Sequence, residues 1–144
     1  MASWLFRSLL GCSLLFLTAL PVTAANLDFG ELYIPGVLGS RFSPQVLEAK
    51  GGTVSILGYM APPLRVKGTF FVLTKEPVSL CPFCQTDADW PADIIVIYLK
   101  KAQVFLPNGN PIIVTGRLQV GSFTDPDTGF VSQLRLVDAT FQDN

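Results

Sequence analysis

The sequence predicts an all-β fold, a small five-stranded barrel of the oligonucleotide/oligosaccharide-binding (OB-like) type with one short N-terminal helix. Three observations predict it. Five stretches carry strand patterning. Turn residues punctuate the gaps between them. Gly58 and Gly116 stand in the middle of the first and fourth stretches, where a strand bending round a small barrel needs room. A β-sandwich is the competing architecture.

The helix comes first. Ser43 supplies an N-cap, Pro44 fits the first helical position, and Gly51 lies just past the end. Two turns of helix are marginal in isolation, so packing must hold them. Thr53 to Met60 follows, with Val54, Ile56, Gly58 and Met60 on one face. Thr69 to Thr74 is aromatic and β-branched. Ile94 to Leu99 is apolar without interruption, the mark of a strand buried on both faces. Ile112 to Val120 alternates cleanly, with Ile113, Thr115, Arg117 and Gln119 opposite the apolar set. Val131 to Phe141 places Leu134 and Leu136 inward, and Asp138 breaks the alternation, which predicts a bulge. An OB-type barrel ordinarily has a helix between its third and fourth strands. Here residues 100 to 110 leave no room for one, and a short strand near Gln103 to Leu106 takes its place. Asp125-Pro126-Asp127-Thr128-Gly129 joins the last two strands as a hairpin.

The N-terminus reads as processing rather than structure. Arg7 precedes an apolar run from Leu9 to Leu20, shorter than the ~20 residues that span a bilayer. Pro21 ends it, and Val22-Thr23-Ala24-Ala25 offers small residues for a signal peptidase. Residues 1–25 are therefore expected to be a signal peptide cut after Ala24 or Ala25, and residues 26–144 a single β-barrel domain. The apolar run continues past Cys12, which argues against lipidation there. The expected location is periplasmic or otherwise extracytoplasmic, with no transmembrane segment after cleavage. The chain has ten Lys and Arg, eleven Asp and Glu, and no histidine. Without Arg7, nine bases face eleven acids, for a net charge of −2. That balance argues against a nucleic-acid partner, which wants a basic face.

The chemistry concentrates in Cys81-Pro82-Phe83-Cys84. Three readings fit it. A disulfide is favoured by an oxidising compartment and by the loss of Cys12 with the leader. A metal half-site needs further ligands, because zinc takes four. A partner copy supplies them for zinc, or Met60 joins the two thiolates around copper. A thiol redox centre of the thioredoxin kind needs a helix N-terminus and a crossover of a dozen or more residues. Only nine residues separate Cys84 from Ile94, and Trp90-Pro91 is among them. The disulfide ranks first, metal second and redox third, so no cofactor is expected unless zinc or copper binds. No catalytic set with histidine is possible. Tyr59, Met60, Pro62 and Pro63 form a second candidate, a rigid lip for a partner, since adjacent prolines favour an extended chain. Phe70, Phe71, Phe83 and Trp90 are candidates for a stacking platform or for core.

Gly58-Tyr59-Met60-Ala61-Pro62-Pro63-Leu64, Phe70-Phe71-Val72-Leu73, Cys81-Pro82-Phe83-Cys84 and Val114-Thr115-Gly116-Arg117-Leu118 together resemble an uncharacterised family of exported bacterial proteins. Its signature is G-[FY]-M-x-P, followed by an F-x-L strand, a cysteine-bearing loop and a closing V-x-G strand. The likeness covers about Leu47 to Phe141. It implies no reaction. It implies an extracytoplasmic accessory or binding protein whose partner is an ABC-type transport system of the membrane or another envelope protein.

Overall fold

A computed structural model describes residues 24–37, 39–62, 67–77, 91–105 and 109–144. Most of the expected leader, Pro63, the Cys81–Cys84 loop and Trp90 lie outside the described residues. Eight strands occur among the described residues: β1 (Ala25–Leu27), β2 (Tyr33–Ile34), β3 (Arg41–Phe42), β4 (Thr53–Met60), β5 (Lys67–Thr74), β6 (Ile94–Val104), β7 (Pro111–Thr124) and β8 (Val131–Asp143). One α-helix, α1 (Pro44–Ala49), precedes β4, and a 3-10 turn spans Phe29–Glu31. The all-β class expected from the patterning is therefore the class observed.

The main sheet has the strand order β1-β4-β5-β6-β8-β7, and β7 pairs again with β4. Every long strand thus finds two neighbours. β4 runs antiparallel to β7 from Thr53↔Arg117 to Tyr59↔Pro111. Its other edge is shared: β1 pairs parallel with Val54–Ile56, and β5 meets Tyr59 and Met60. β6 and β8 are parallel, while β5–β6 and β7–β8 are antiparallel.

Alternation explains which side chains go inward. Val54 and Ile56 of β4, Val114 and Leu118 of β7, and Leu134 and Leu136 of β8 enter one core with Phe71, Leu73, Ile95, Ile97 and Leu99. The unbroken apolar run of β6 is explained by two clusters on its two faces. Ile95, Ile97 and Leu99 face the main core, while Ile94 and Val96 join Ala61 and Val72 on the opposite side. Phe71, placed between core and platform by the sequence, is fully buried and meets Phe105 and Phe141 edge-on at 5.5 and 5.6 Å.

The helix begins where its cap dictates. The Ser43 Oγ accepts the Val46 N–H at 3.2 Å, and Pro44 occupies the first turn without losing a hydrogen bond. Val46 drops fully buried into the main core, which anchors an element too short to stand alone. Gly51 then takes φ +82°, and its N–H bonds the Leu118 carbonyl at 2.8 Å, handing the chain to β7's edge.

The bulge expected at Asp138 is present. Register passes from Thr115↔Thr140 to Arg117↔Val137, so Gly116 faces two residues of β8, and Asp138 adopts φ +52°. The short strand expected at Gln103 to Leu106 is instead the tail of β6, which pairs Gln103 with Gly68 and Val104 with Lys67. Leu106 lies outside the described residues. The first three strands and the 3-10 turn carry no recognisable signal, being two or three residues long.

Two glycines permit the close approaches. A Cβ on Gly116 would stand 2.9 Å from the Ala139 Cβ and 3.1 Å from the Val137 carbonyl oxygen. A Cβ on Gly58 would stand 2.8 Å from the Thr74 carbonyl oxygen and 2.9 Å from the Phe29 ring. Backbone atoms cannot yield as a flexible side chain does. Gly116→Val is therefore expected to destabilise the fold by about 1–3 kcal/mol, the range of overpacked cores. Urea midpoints of the variant and parent check this, and an unchanged midpoint at equal m-value would contradict it.

Candidate functional site

Of the residues singled out in the sequence, Tyr59, Met60 and Pro62 are described and Cys81, Cys84 and Pro63 are not. Met60 is partly buried against the main core. Tyr59 is half-buried, and its carbonyl accepts the Thr74 hydroxyl at 3.2 Å. Ala61, next in the chain, is buried and bonds the Val72 carbonyl at 2.9 Å, so the β4–β5 pairing continues one residue past β4. The exit from β4 is thus held on the β5 side by backbone bonds as far as Ala61. Among the described residues no three His, Cys, Asp or Glu side chains converge to hold a metal ion. A metal reading rests on the cysteine loop, outside those residues.

A constellation of which the sequence singled out only Phe70, as a candidate for a stacking platform, lies on the outward face of β5, β6, β7 and β8. Phe70 and Tyr98 stack across β5 and β6 with ring centroids 5.4 Å apart, as their register pairing places them. Phe130 stacks on Phe70 at 6.3 Å, and Phe123 meets Tyr98 edge-on at 6.1 Å. Phe123 keeps 38% of its surface exposed, so the face ends in an open ring. Offset and edge-on geometries are those that aromatic quadrupoles favour.

Arg135 fixes this face from below. Its Nε donates to Gln119 Oε1 at 2.8 Å and its Nη1 to the Gly121 carbonyl at 2.8 Å. Its guanidinium carbon stands 4.6 Å above the Phe123 ring, within cation–π range. Burial pulls the Arg135 pKa below its ordinary value, and interaction with Tyr98 opposes the shift. The guanidinium stays charged even so, because its proton is lost only far above neutral pH.

Asp125 closes the hairpin after β7. Its Oδ1 accepts the Thr128 hydroxyl at 2.7 Å, the Thr128 N–H at 2.9 Å and the Asp127 N–H at 3.2 Å. Its Oδ2 accepts the Tyr98 hydroxyl at 3.1 Å, which ties the hairpin to β6. Burial alone pushes this carboxyl up. The donors from Thr128, Tyr98 and Asp127 outweigh that push and hold it below its ordinary value. Tyr98 moves the other way: burial first, then the neighbouring carboxylate, raise its hydroxyl well above its usual range. At neutral pH the phenol is therefore protonated and donating, and the carboxylate is ionised and accepting. The arrangement suits a fixed stacking surface better than proton transfer, since neither group is poised near neutrality.

The hairpin sequence Asp-Pro-Asp-Thr-Gly signals the turn, because Asp and Thr bond their own following backbone. Nothing in it signals Tyr98 as a partner, 27 residues away. Tyr98→Phe is expected to cost about 1.5 kcal/mol, the low end for one hydrogen bond to a charged group, at a part-buried site; urea midpoints of variant and parent check it. The pH dependence follows from the depressed Asp125 value. Its stabilisation is fully present above the unfolded-state pKa of about 3.9 and is lost as pH falls through the lower folded-state value. Asp125→Asn should flatten that acid limb in denaturation midpoints taken between about pH 2 and 6. An acid limb identical in slope to the parent would show that Asp125 contributes nothing to it.

Comparison with known proteins adds one fold-level relation. No family model matches the sequence, and no curated protein matches it. Among described residues no helix is long and apolar enough to cross a membrane. A solved crystal structure of a DUF3299 family protein from Pseudomonas aeruginosa PAO1 is similar, with a TM-score of 0.54 at 14% identity. The match covers 85% of this chain and 97% of that one, so the two share a fold along nearly the whole of the shorter chain. That neighbour's family is itself a domain of unknown function, in keeping with the kind of family that the sequence resembles.

Proposed function

We propose that the chain is an exported, non-catalytic binding or accessory module built on an OB-like five-stranded barrel. The barrel reading is supported by the pairing succession β4–β5–β6–β8–β7 and back to β4, with a parallel β6–β8 contact. A five-stranded Greek-key barrel of this type presents ligands on its second and third strands. Here those strands are β5 and β6. The observation that carries the reading is the Phe70–Tyr98 stack on their outward face, bordered by the 38% exposed Phe123 ring.

Residues 1–25 form its signal peptide in this proposal, and residues 26–144 its single domain. It works in the periplasm or another extracytoplasmic space, beside an ABC-type transport system or another envelope protein. Cys81 and Cys84 form a disulfide that staples the loop between β5 and β6. A second reading follows from the same pair: bare Cys-x-x-Cys spacing in an exported chain serves thiol redox or zinc and copper handling, with Met60 as a third ligand for copper.

One measurement separates the two. Intact mass of protein taken from its compartment, native and denatured, with and without alkylation, reads the N-terminus, the thiol state and bound metal together. A chain starting at Ala25 or Asn26, with no alkylatable cysteine and no metal, is the expected result. Two free thiols with a stoichiometric metal would move the second reading to first place. A chain starting at Met1 would remove export from the proposal.

A further inference from the structure

A second concavity, of about 300 Å³, opens on the outward face of β4, β6, β7 and β8, away from the cysteine loop and independent of whether the chain is exported. Lys100, Arg117, Asp138, Thr53, Thr115 and Thr140 line it. Strand register brings these residues together from four strands. Thr53 pairs with Arg117, Thr115 pairs with Thr140, and Lys100 follows Leu99, whose partner Ala139 lies between Asp138 and Thr140. Gly116 forms part of the wall, and its missing side chain keeps β7 close to β8 there.

The charge in this concavity runs against that of the molecule. The whole chain has a formal net charge of −1, whereas the concavity holds two cations and one carboxylate. Three threonine hydroxyls add neutral polar groups, of which Thr115 is already bonded to Ser55 Oγ at 2.7 Å. Arg117 spends one contact on Asp138, Nη2 to Oδ2 at 3.1 Å, and both side chains are about half exposed or more. Among the described residues Lys100 has no ion-pair partner. A pair so exposed contributes little stability. Yet Asp138 sits at φ +52°, a conformation that L-residues adopt at a cost and that the bulge imposes. The result is a carboxylate held against a guanidinium fork, in a cavity with a second cation and hydroxyls around it.

We propose that this concavity binds a small oxyanion, a phosphoryl group above all, and that Asp138 is its resident competitor. Arg117 offers its unused N–H groups, Lys100 a point charge, and Thr53 and Thr140 hydroxyl donors, while the Thr115 hydroxyl is shared with Ser55 Oγ at 2.7 Å; Arg and Lys differ in this way at phosphate sites. An arriving phosphoryl oxygen replaces the Asp138 carboxylate on Arg117, so the site discriminates by charge and is attenuated by its own acid.

Titration of the full chain with inorganic phosphate at low ionic strength, followed by calorimetry and by amide shifts of Thr115, Arg117 and Thr140, tests this. Saturable one-site binding is expected. Lys100→Met and Arg117→Gln should each weaken it about tenfold, the value of one charge-assisted hydrogen bond. Asp138→Asn should tighten it severalfold, and asparagine keeps the backbone tolerance that the position requires. That opposite sign is one a merely structural carboxylate would not produce. Melting temperatures of the three exposed-site variants confirm that each is folded. Vesicles of phosphatidylcholine with and without phosphatidylglycerol distinguish the source: vesicle binding lost together with phosphate binding in Arg117→Gln points to a lipid headgroup, and phosphate binding lost without any vesicle binding points to a soluble phosphoryl compound. No saturable phosphate effect, binding undiminished in a Lys100→Met/Arg117→Gln double variant, or weaker binding in Asp138→Asn would each overturn the proposal.

Discussion

The close passage of β7 over β8 at Gly116, and of β4 over β5 at Gly58, is the constraint on which the other contacts depend. At both places a backbone carbonyl fills the space of a missing Cβ. Gly116 also pairs with Val54, and Gly58 with Ile112, so both contacts lie along the single β4–β7 ladder. That ladder joins β7, the last strand of the order, back to β4, the second. Widen it by a methyl group, and Val54, Val114, Leu118 and Leu136 no longer meet around one centre. A core of this kind has little slack, because protein interiors are packed as densely as organic crystals.

The five long strands were legible because each has a signal that sums over many residues. β7 could be read from strict alternation, and β6 from an apolar run longer than one buried face requires. The bulge at Asp138 was legible too, since a strand that meets a carboxylate in its inward phase must slip by one residue to keep that charge out of the core. β1, β2 and β3 were not, because two or three residues carry no period, and their pairing is decided by partners elsewhere in the chain. Leu27 and Phe29 enter the core only because β4 presents a free edge at Val54–Ile56.

The same distinction separates the two regions of chemical interest. Cys81 and Cys84 declare themselves by spacing, so they stood out from the sequence alone. The outward face does so only at Phe70: its partners Tyr98, Phe123, Phe130 and Arg135 come from three further strands and a hairpin, at no fixed interval. A lone Arg135 in the phase of a solvent-facing position looks like an ordinary surface cation. Its burial to 8% exposure, its two hydrogen bonds and its aromatic neighbour appear only once β7 and β8 are paired. Asp125 likewise reads as a turn former, and its reach to Tyr98 requires knowing that the hairpin folds back over β6.

The division of β4's edge between β1 and β5 has a consequence for self-association. Half of that edge is guarded by a strand of three residues, contributed in parallel by the chain's own early segment. Among the described residues β1 pairs with β4 alone, whereas β5 is paired on both sides. Removal of the residues before Asp28 uncovers backbone donors and acceptors at Val54–Ile56, with Leu57 already half exposed beside them. An uncovered edge of that composition is a template for another chain's strand. The three residues of β1 therefore cap backbone groups of β4 that would otherwise be open to pairing.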